Sequence, residues 1–400
     1  MRLGVAIHLI LFVVLGASRA AAQTTCKISD MLPEKRTLAV TCTLAQPREG
    51  RNQFSFLDQF AGIDKLSQRI SGLKVREIAG KDLPLEIRGD GLFSFTKVAA
   101  TASGPIEIRY GVRLGRALEP GRYALTSSLG PEAAFLLAGD ILPDFLSSQT
   151  GLQLEIAAPD GWQVATTEPR NGTQFEIADV NRAVFFLGKL RQRRFEIGAM
   201  RLQVAIAGTW DFSDEQVGIL CESIARSQAS MVGSRESGDF LVTLAPFPQP
   251  LTGLRSAALA RANTVILMLN AGIDQPRTLK HYQRHLAHEM FHFYLPNAFS
   301  IRENFDWFWE GFTRYLGLVT LVQTKALTLN ELLANVGDEY DAYLVNPLRS
   351  QASLVTASPE KFSDAANYEI VYRKGLVVAA LYDLELRSQT RGKQGLPELM

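Results

Sequence analysis

The stretch HYQRHLAHEMFHFYLP, His281 to Pro296, holds four of the chain's five histidines. At about 100° per residue, positions three or four apart share one helix face, so His281, His285, His288 and His292 fall in a narrow stripe. Thr278, in the preceding DQPRTL, is a candidate N-cap, and Pro296 is expected to end the helix. Within the stripe, His288-Glu289-Met290-Phe291-His292 has the form H-E-x-x-H. Imidazoles one turn apart point the same way, at a separation that lets both hold one Zn²⁺. Glu289 is rotated away from the pair but close enough to reach a water on the metal. Met290 and Phe291 can pack inward and stiffen the helix. His281 and His285 are read as solvent-facing or as groups near the helix start, outside the ligand set.

A third ligand is available downstream. RENFDWFWEGFTRYLGLVTL, residues 302–321, reads as a second helix. A carboxylate on a neighbouring helix completes a His₂Glu site and leaves the fourth position open. Glu310 is preferred over its rivals Glu303 and Asp306, because Trp307, Phe308, Trp309 and Phe312 surround it. An acid amid that much apolar surface needs a charge partner, and a plain buried salt bridge is the competing explanation.

The chain around this region is 400 residues long, 46% hydrophobic and 21% charged, with a net charge of +1. That is enough length for two cored units. The charge balance, with no basic run interleaved with aromatics, argues against a nucleic-acid partner. Residues 24 to about 208 carry short alternating or β-rich runs such as TLAVTCTL, PIEIRYGVRL and MRLQVAIAG, punctuated by Gly, Pro, Asn and Asp. From about Gly208 helical patterns dominate, with two strands, DFLVTLAPF and NTVILMLN, among them. The expected fold class is α+β: a β-sandwich-like domain over 23–208, then a mostly helical unit with a small sheet over 209–400, whose last helix at GLPELM looks cut short.

The N-terminus, MRLGVAIHLILFVVLGASRAAAQTTC, has Arg2, an apolar core from Leu3 to Leu15 and small residues near Ala20 and Ala22. It reads as a cleaved secretory leader over 1–22, being short of the roughly 20 apolar residues of a spanning helix. No later segment is apolar enough to span a bilayer, so the mature chain is expected to be secreted or periplasmic. Export suits a disulfide, and Cys26 and Cys42 can face each other across a hairpin turning at Pro33. Cys221 reads as a buried free thiol.

HEMFH, then WFWEGFTRYLGL, then YEIVYRKGLVVAALYDLELRSQTRGKQGL together resemble the gluzincin metallopeptidases, specifically the glycyl aminopeptidase family with its thermolysin-like catalytic domain, over about residues 280 to 400. The resemblance implies zinc held by His288, His292 and Glu310, Glu289 as general base, and Tyr372, in its Tyr-x-Lys-Gly context, as donor to the oxyanion. Tyr368, four residues earlier, is the alternative donor. Where the family's amine-binding segment has glycine-leucine-glutamate, this chain has Gly253-Leu254-Arg255. A cation there would repel an ammonium group, and Arg255 could instead meet a substrate carboxylate. The implied function is a zinc-dependent peptidase acting on peptide substrates. The alternative is a non-catalytic peptide- or partner-binding protein on the same scaffold.

Overall fold

The computed structural model describes residues 24–44, 50–78, 80–88, 91–97, 105–115, 118–145, 151–233, 237–253, 255–270, 275–295 and 305–399. The leader at 1–22, Leu254, Pro296 and Glu303 lie outside them. The architecture is mixed α+β and is built in layers, and strand patterning explains the order of the layers.

The outermost layer is a seven-stranded sheet whose central strands are Thr24–Leu32, Thr37–Leu44 and Ile106–Arg113. Thr37–Leu44 alternates partly buried and buried positions along its whole length, as a strand with one core face and one wetter face must. Cys26 and Cys42 are register partners in this sheet and are joined by a disulfide. The next layer is a four-stranded sheet containing Ala133–Leu137 and Val184–Gly188. Here alternation disappears, and every residue of VFFLG is buried. The reason is that both faces are covered. Leu136, Phe185 and Leu187 point into the core shared with the outer sheet. Phe135, Leu137, Val184 and Phe186 point the other way, into a second core with Leu241, Ala257 and Ile266.

Those last residues belong to the third layer, a five-stranded sheet in the order Arg191–Ile197, Met200–Ile206, Gly238–Pro246, Thr264–Leu269, Ser256–Arg261. Its far face carries Leu202, Val204, Phe240, Val242, Val265 and Leu267, packed on the helices. The division expected at residue 208 therefore falls inside one sheet. MRLQVAIAG pairs in parallel with Gly238–Pro246, so this sheet draws strands from both sides of residue 208. The β-pattern of this strand was legible, but its parallel partner, reached across a helical crossover, left no local mark.

Helices Asp214–Met231, Gln275–Phe291, Asp306–Gln323, Leu329–Leu344 and Gly375–Gln389 all contribute to the core on this far face. The first, Asp214–Met231, starts at Ser213 with a full capping box to Gln216. The histidine helix runs Gln275–Phe291 and the tryptophan helix Asp306–Gln323, the latter starting later than its sequence suggested. The tryptophan helix is held by two close crossings. A Cβ on Gly317 would meet the His288 backbone nitrogen at 3.0 Å, and one on Gly311 would meet the Gly375 carbonyl carbon at 2.3 Å. Buried Gln228, from the first helix, donates to Ala287 O at 2.7 Å. Among the described residues no helix is long and apolar enough to cross a membrane.

The crossing at Gly311 predicts that Gly311→Ala destabilises the protein by about 1–3 kcal/mol through overpacking. Gly337, exposed on helix Leu329–Leu344, is the control, since a Cβ added there would meet nothing within 4 Å. Gly337→Ala should be neutral or stabilising, by up to about 1 kcal/mol. Urea unfolding of both variants checks the pair.

Candidate metal centre

The α-helix that carries the histidines ends at Phe291, one residue before the second histidine of the motif. His292 sits in the following turn, where its N–H bonds Glu289 O at 3.2 Å. The tighter turn still keeps the two imidazoles together, with ring centroids 4.9 Å apart. Glu310 arrives from the tryptophan helix. Its Oε2 lies 3.3 Å from His292 Nε2 and 3.6 Å from His288 Nε2.

The tautomers follow from the partners. His292 Nδ1 faces Leu295 O at 3.1 Å. A carbonyl only accepts, so Nδ1 carries the proton. His288 Nδ1 faces Thr313 Oγ1 at 3.1 Å, while that hydroxyl donates to Trp309 O at 2.5 Å. With its one proton spent on Trp309, Thr313 accepts from His288. Both Nε2 atoms are therefore lone pairs in the neutral rings, and they face a carboxylate oxygen. Three acceptors converging to 3.3–3.6 Å need a cation or a proton between them. The donor set, two imidazoles and a carboxylate, is one that fits zinc, and the Nδ1 partners are the outer groups that orient such ligands.

The site's protonation follows from burial and near neighbours. Burial, then His292, pushes the His288 imidazole well below its usual value. His292 is pushed down by burial too, but Glu310 overrides this and raises it. Burial would raise Glu310, yet Lys361 and the two histidines hold it well below the carboxylate range. Lys361 forms with Glu310 the buried salt bridge that the sequence reading set against a metal ligand: its Nζ lies 3.0 Å from Glu310 Oε1 and 3.0 Å from Asp306 Oδ2. Asp306, a rival ligand on sequence grounds, is thus occupied by Lys361. Because Lys361 takes one oxygen of Glu310, the other is left for the histidines.

Glu289 also approaches, with Oε1 3.8 Å from His288 Nε2. One donor atom each from His288, Glu289 and His292 lie within 4.8 Å of one another. Glu310 is nevertheless the better third ligand, since it reaches both nitrogens more closely. Burial lifts Glu289 to about 7, with His292 pulling it down. That is the range of a carboxyl that exchanges protons near neutrality.

These groups open into a cleft of about 500 Å³. Its walls include His288, Glu289, Tyr368 and Tyr372, the strand residues Ser256 to Ala258, and Gly121 from a turn of the N-terminal region. Tyr372 lies on a π-helical turn, Ile370–Lys374, a distortion common at functional sites. Its ring centroid is 6.3 Å from that of His288, and it stacks on Tyr368 at 4.2 Å. Burial, then the charge of Glu310, raises the Tyr372 phenol well above its usual value.

Gly253 and Arg255 stand apart from this wall. Both are exposed. Asn270 Nδ2 donates to Gly253 O, and the Tyr282 hydroxyl donates to Arg255 O at 2.9 Å. These bonds fix the segment's backbone, while the cleft is lined by the strand that comes after it. His285, read as peripheral, does line the cleft, with Nδ1 3.2 Å from Ser256 Oγ. Thr313 and Arg314 were findable as the third and fourth residues after Glu310, on its own helix face. Lys361 had no such local signal.

Glu310, Asp306 and Lys361 form a partly desolvated triad. Lys361→Met should cost about 3–5 kcal/mol, because it leaves two carboxylates without their cation. Urea unfolding in the presence of EDTA measures this, with Lys361→Arg expected to recover part of the loss.

No family model and no curated protein matches the sequence. Solved structures do match the fold. An aminopeptidase N family protein from Idiomarina loihiensis superposes with a TM-score of 0.79 at 17% identity, covering 94% of this chain and 69% of that one. An M1 zinc metallopeptidase from Deinococcus radiodurans, a mutant bound to a Tyr-Ser-Ala substrate, gives 0.54 at 16% identity over 93% of this chain and 84% of that one. At these identities the likeness establishes architecture: the chain has a gluzincin aminopeptidase-like fold.

Proposed function

We propose that this protein is an exported zinc-dependent peptidase. His288, His292 and Glu310 are its metal ligands, Glu289 its general base and Tyr372 its oxyanion donor. The observation that carries this reading is the convergence of the two Nε2 atoms and one Glu310 oxygen beside Glu289, with His288 and Glu289 lining an open cleft. Export is supported by the leader at 1–22 and by the Cys26–Cys42 disulfide, and it places the protein outside the cell or in a periplasm. The catalytic unit is taken to begin with the sheet at Arg191.

When bound, zinc supplies a Lewis acid that brings the pKa of a water from 15.7 to about 7. The chain supplies the rest. Thr313 and Leu295 O hold the imidazoles with their Nε2 atoms toward the cleft. Lys361 turns one Glu310 oxygen the same way. Glu289 takes the proton of the attacking water and delivers it to the departing amine. Tyr372, kept as a neutral phenol by burial and by Glu310, donates to the oxygen on which charge develops. Ser256–Arg261 is an edge strand that pairs on one side only among the described residues. An extended peptide can add to such an edge beside Glu289.

The zinc-loaded protein should hydrolyse at least one of an unblocked, an N-blocked and an internally quenched peptide. Glu289→Gln should retain the metal and lose roughly 10²–10⁴ in rate. Tyr372→Phe should lose roughly 10²–10³ in kcat, with metal content unchanged. Metal analysis and steady-state kinetics check both. Full activity in Glu289→Gln would remove the mechanism, and no cleavage by zinc-loaded wild-type protein would favour the peptide-binding alternative.

A further inference from the structure

We propose that the cleft contains a carboxylate-recognition subsite built by Arg284, Arg314 and Arg373. The preferred peptide would then carry a carboxylate, either an acidic side chain or a free C terminus, close to the bond that reacts. This inference rests on the peptidase reading of the same cleft and narrows its substrate class.

All three arginines line the cleft. Each is one step along the chain, or one helical turn, from a residue of the metal centre. Arg284 is four before His288, Arg314 is four after Glu310, and Arg373 follows Tyr372. Arg314 Nη2 bonds Glu339 Oε1 at 2.6 Å, and Arg373 Nη1 bonds Glu339 Oε2 at 2.7 Å. The Glu339 side chain is only 14% exposed and serves as a bridge, fixing two guanidiniums that remain about one-third open. Arg373 also lies 3.6 Å from Glu369. A guanidinium has five N–H donors, so each keeps donors that Glu339 and Glu369 do not use.

Arg284 is the surplus cation. It is exposed toward the cleft and forms no ion pair among the described residues. Glu289 of the metal centre apart, the charged side chains lining the cleft are three guanidiniums and two carboxylates, an excess of one positive charge away from that centre. Ser256 and His285, bonded to each other, also line the cleft, and His285 follows Arg284 in the chain. A planar, weakly hydrated guanidinium fork suits a carboxylate better than any other anion receptor among side chains. The same wall repels an ammonium group. Arg255, whose charge first raised this possibility, lies outside the lining, so Arg284 takes the role.

The test uses two matched peptide pairs on the zinc-loaded protein: one differing only in Glu against Gln beside the scissile bond, the other only in free C-terminal carboxylate against amide. The charged member of one pair should be favoured roughly tenfold to hundredfold in kcat/KM, and the pair that shows it identifies the source of the carboxylate. Arg284→Gln should bring that ratio close to one. Calorimetric binding of the same peptides to Glu289→Gln, which does not need turnover, should show the same preference in Kd. If no peptide is cleaved but the binding preference holds and depends on Arg284, the subsite stands and the peptidase reading falls. If peptides are cleaved with no preference in either pair, or the preference survives Arg284→Gln, the subsite is overturned and the peptidase reading stands. Survival of the preference would mean that the carboxylate meets the metal instead.

Discussion

The site depends on how closely the tryptophan helix can approach its neighbours. Gly317 lets it touch the backbone of the histidine helix at Ala287 and His288, and Gly311 lets it touch Gly375, where the helix after Tyr372 begins. No larger residue fits at either crossing without displacing backbone. Between these two contacts, one turn and a half apart on the same helix, lie Thr313 and Arg314, with Glu310 next to the first. Its carboxylate therefore has little freedom. Thr313 faces His288 from the same helix. A shift of about 1 Å in this helix would separate both Glu310 and Thr313 from the histidines at once, and arrangements of this kind tolerate little such movement.

The charges are balanced as closely as the helices. A buried carboxylate beside two neutral imidazoles would be unfavourable alone. Lys361 offsets the cost on one oxygen and leaves the other free. Asp306 shares the lysine, so the triad is negative by one charge before the histidines are counted. Glu310 raises His292 against the effect of burial, and burial, then Glu310, keeps Tyr372 a phenol. The same field that would hold a cation at the Nε2 atoms therefore also keeps the hydroxyl proton where an oxyanion donor needs it. Farther along the cleft the sign reverses, since Glu339 and Glu369 do not cancel Arg284, Arg314 and Arg373. On the function proposed above, a peptide in the cleft would meet a cation-seeking floor at one place and an anion-seeking wall at another.

How much of this was legible in the sequence depends on the range of the interaction. The histidine stripe and the alternation of Thr37–Leu44 are local periodicities, and these are what a sequence displays. The end of the histidine helix was placed too late: Pro296 excludes helix only at its own position and just before it, while the chain already tightens at His292 to bond Glu289 O. The sheet that spans residue 208 was not legible, because parallel pairing of Met200–Ile206 with Gly238–Pro246 depends on a partner beyond a helix. A charge partner for Glu310 was implied by its apolar setting, yet nothing near residue 361 marks Lys361. Arg255 was singled out because it breaks a family pattern, but its place in the fold is set by Tyr282 and Asn270, which tie down the backbone of its segment from a distance.

The N-terminal sheets matter to the site through that same lysine. A Cβ on Gly62 would lie 2.7 Å from Phe362 O, and Arg122 donates to Gly62 O at 2.6 Å. Phe60, in the same turn, lies under Arg261 at the end of the edge strand, 4.9 Å from guanidinium carbon to ring centroid. The turn at 60–63 thus packs against the residue next to Lys361 on one side and against the edge strand on the other. Gly121, beside Arg122, reaches the cleft itself. The middle sheet, buried on both faces, fixes these turns relative to the helices, because neither of its cores can open without exposing phenylalanines such as Phe135, Phe185 and Phe186, each worth about 1.5–3 kcal/mol in burial. The orientation of the Glu310 carboxylate, set by Lys361, is therefore held in part by turns of the N-terminal region, and the layered sheets act as a support for the cleft as much as a separate unit.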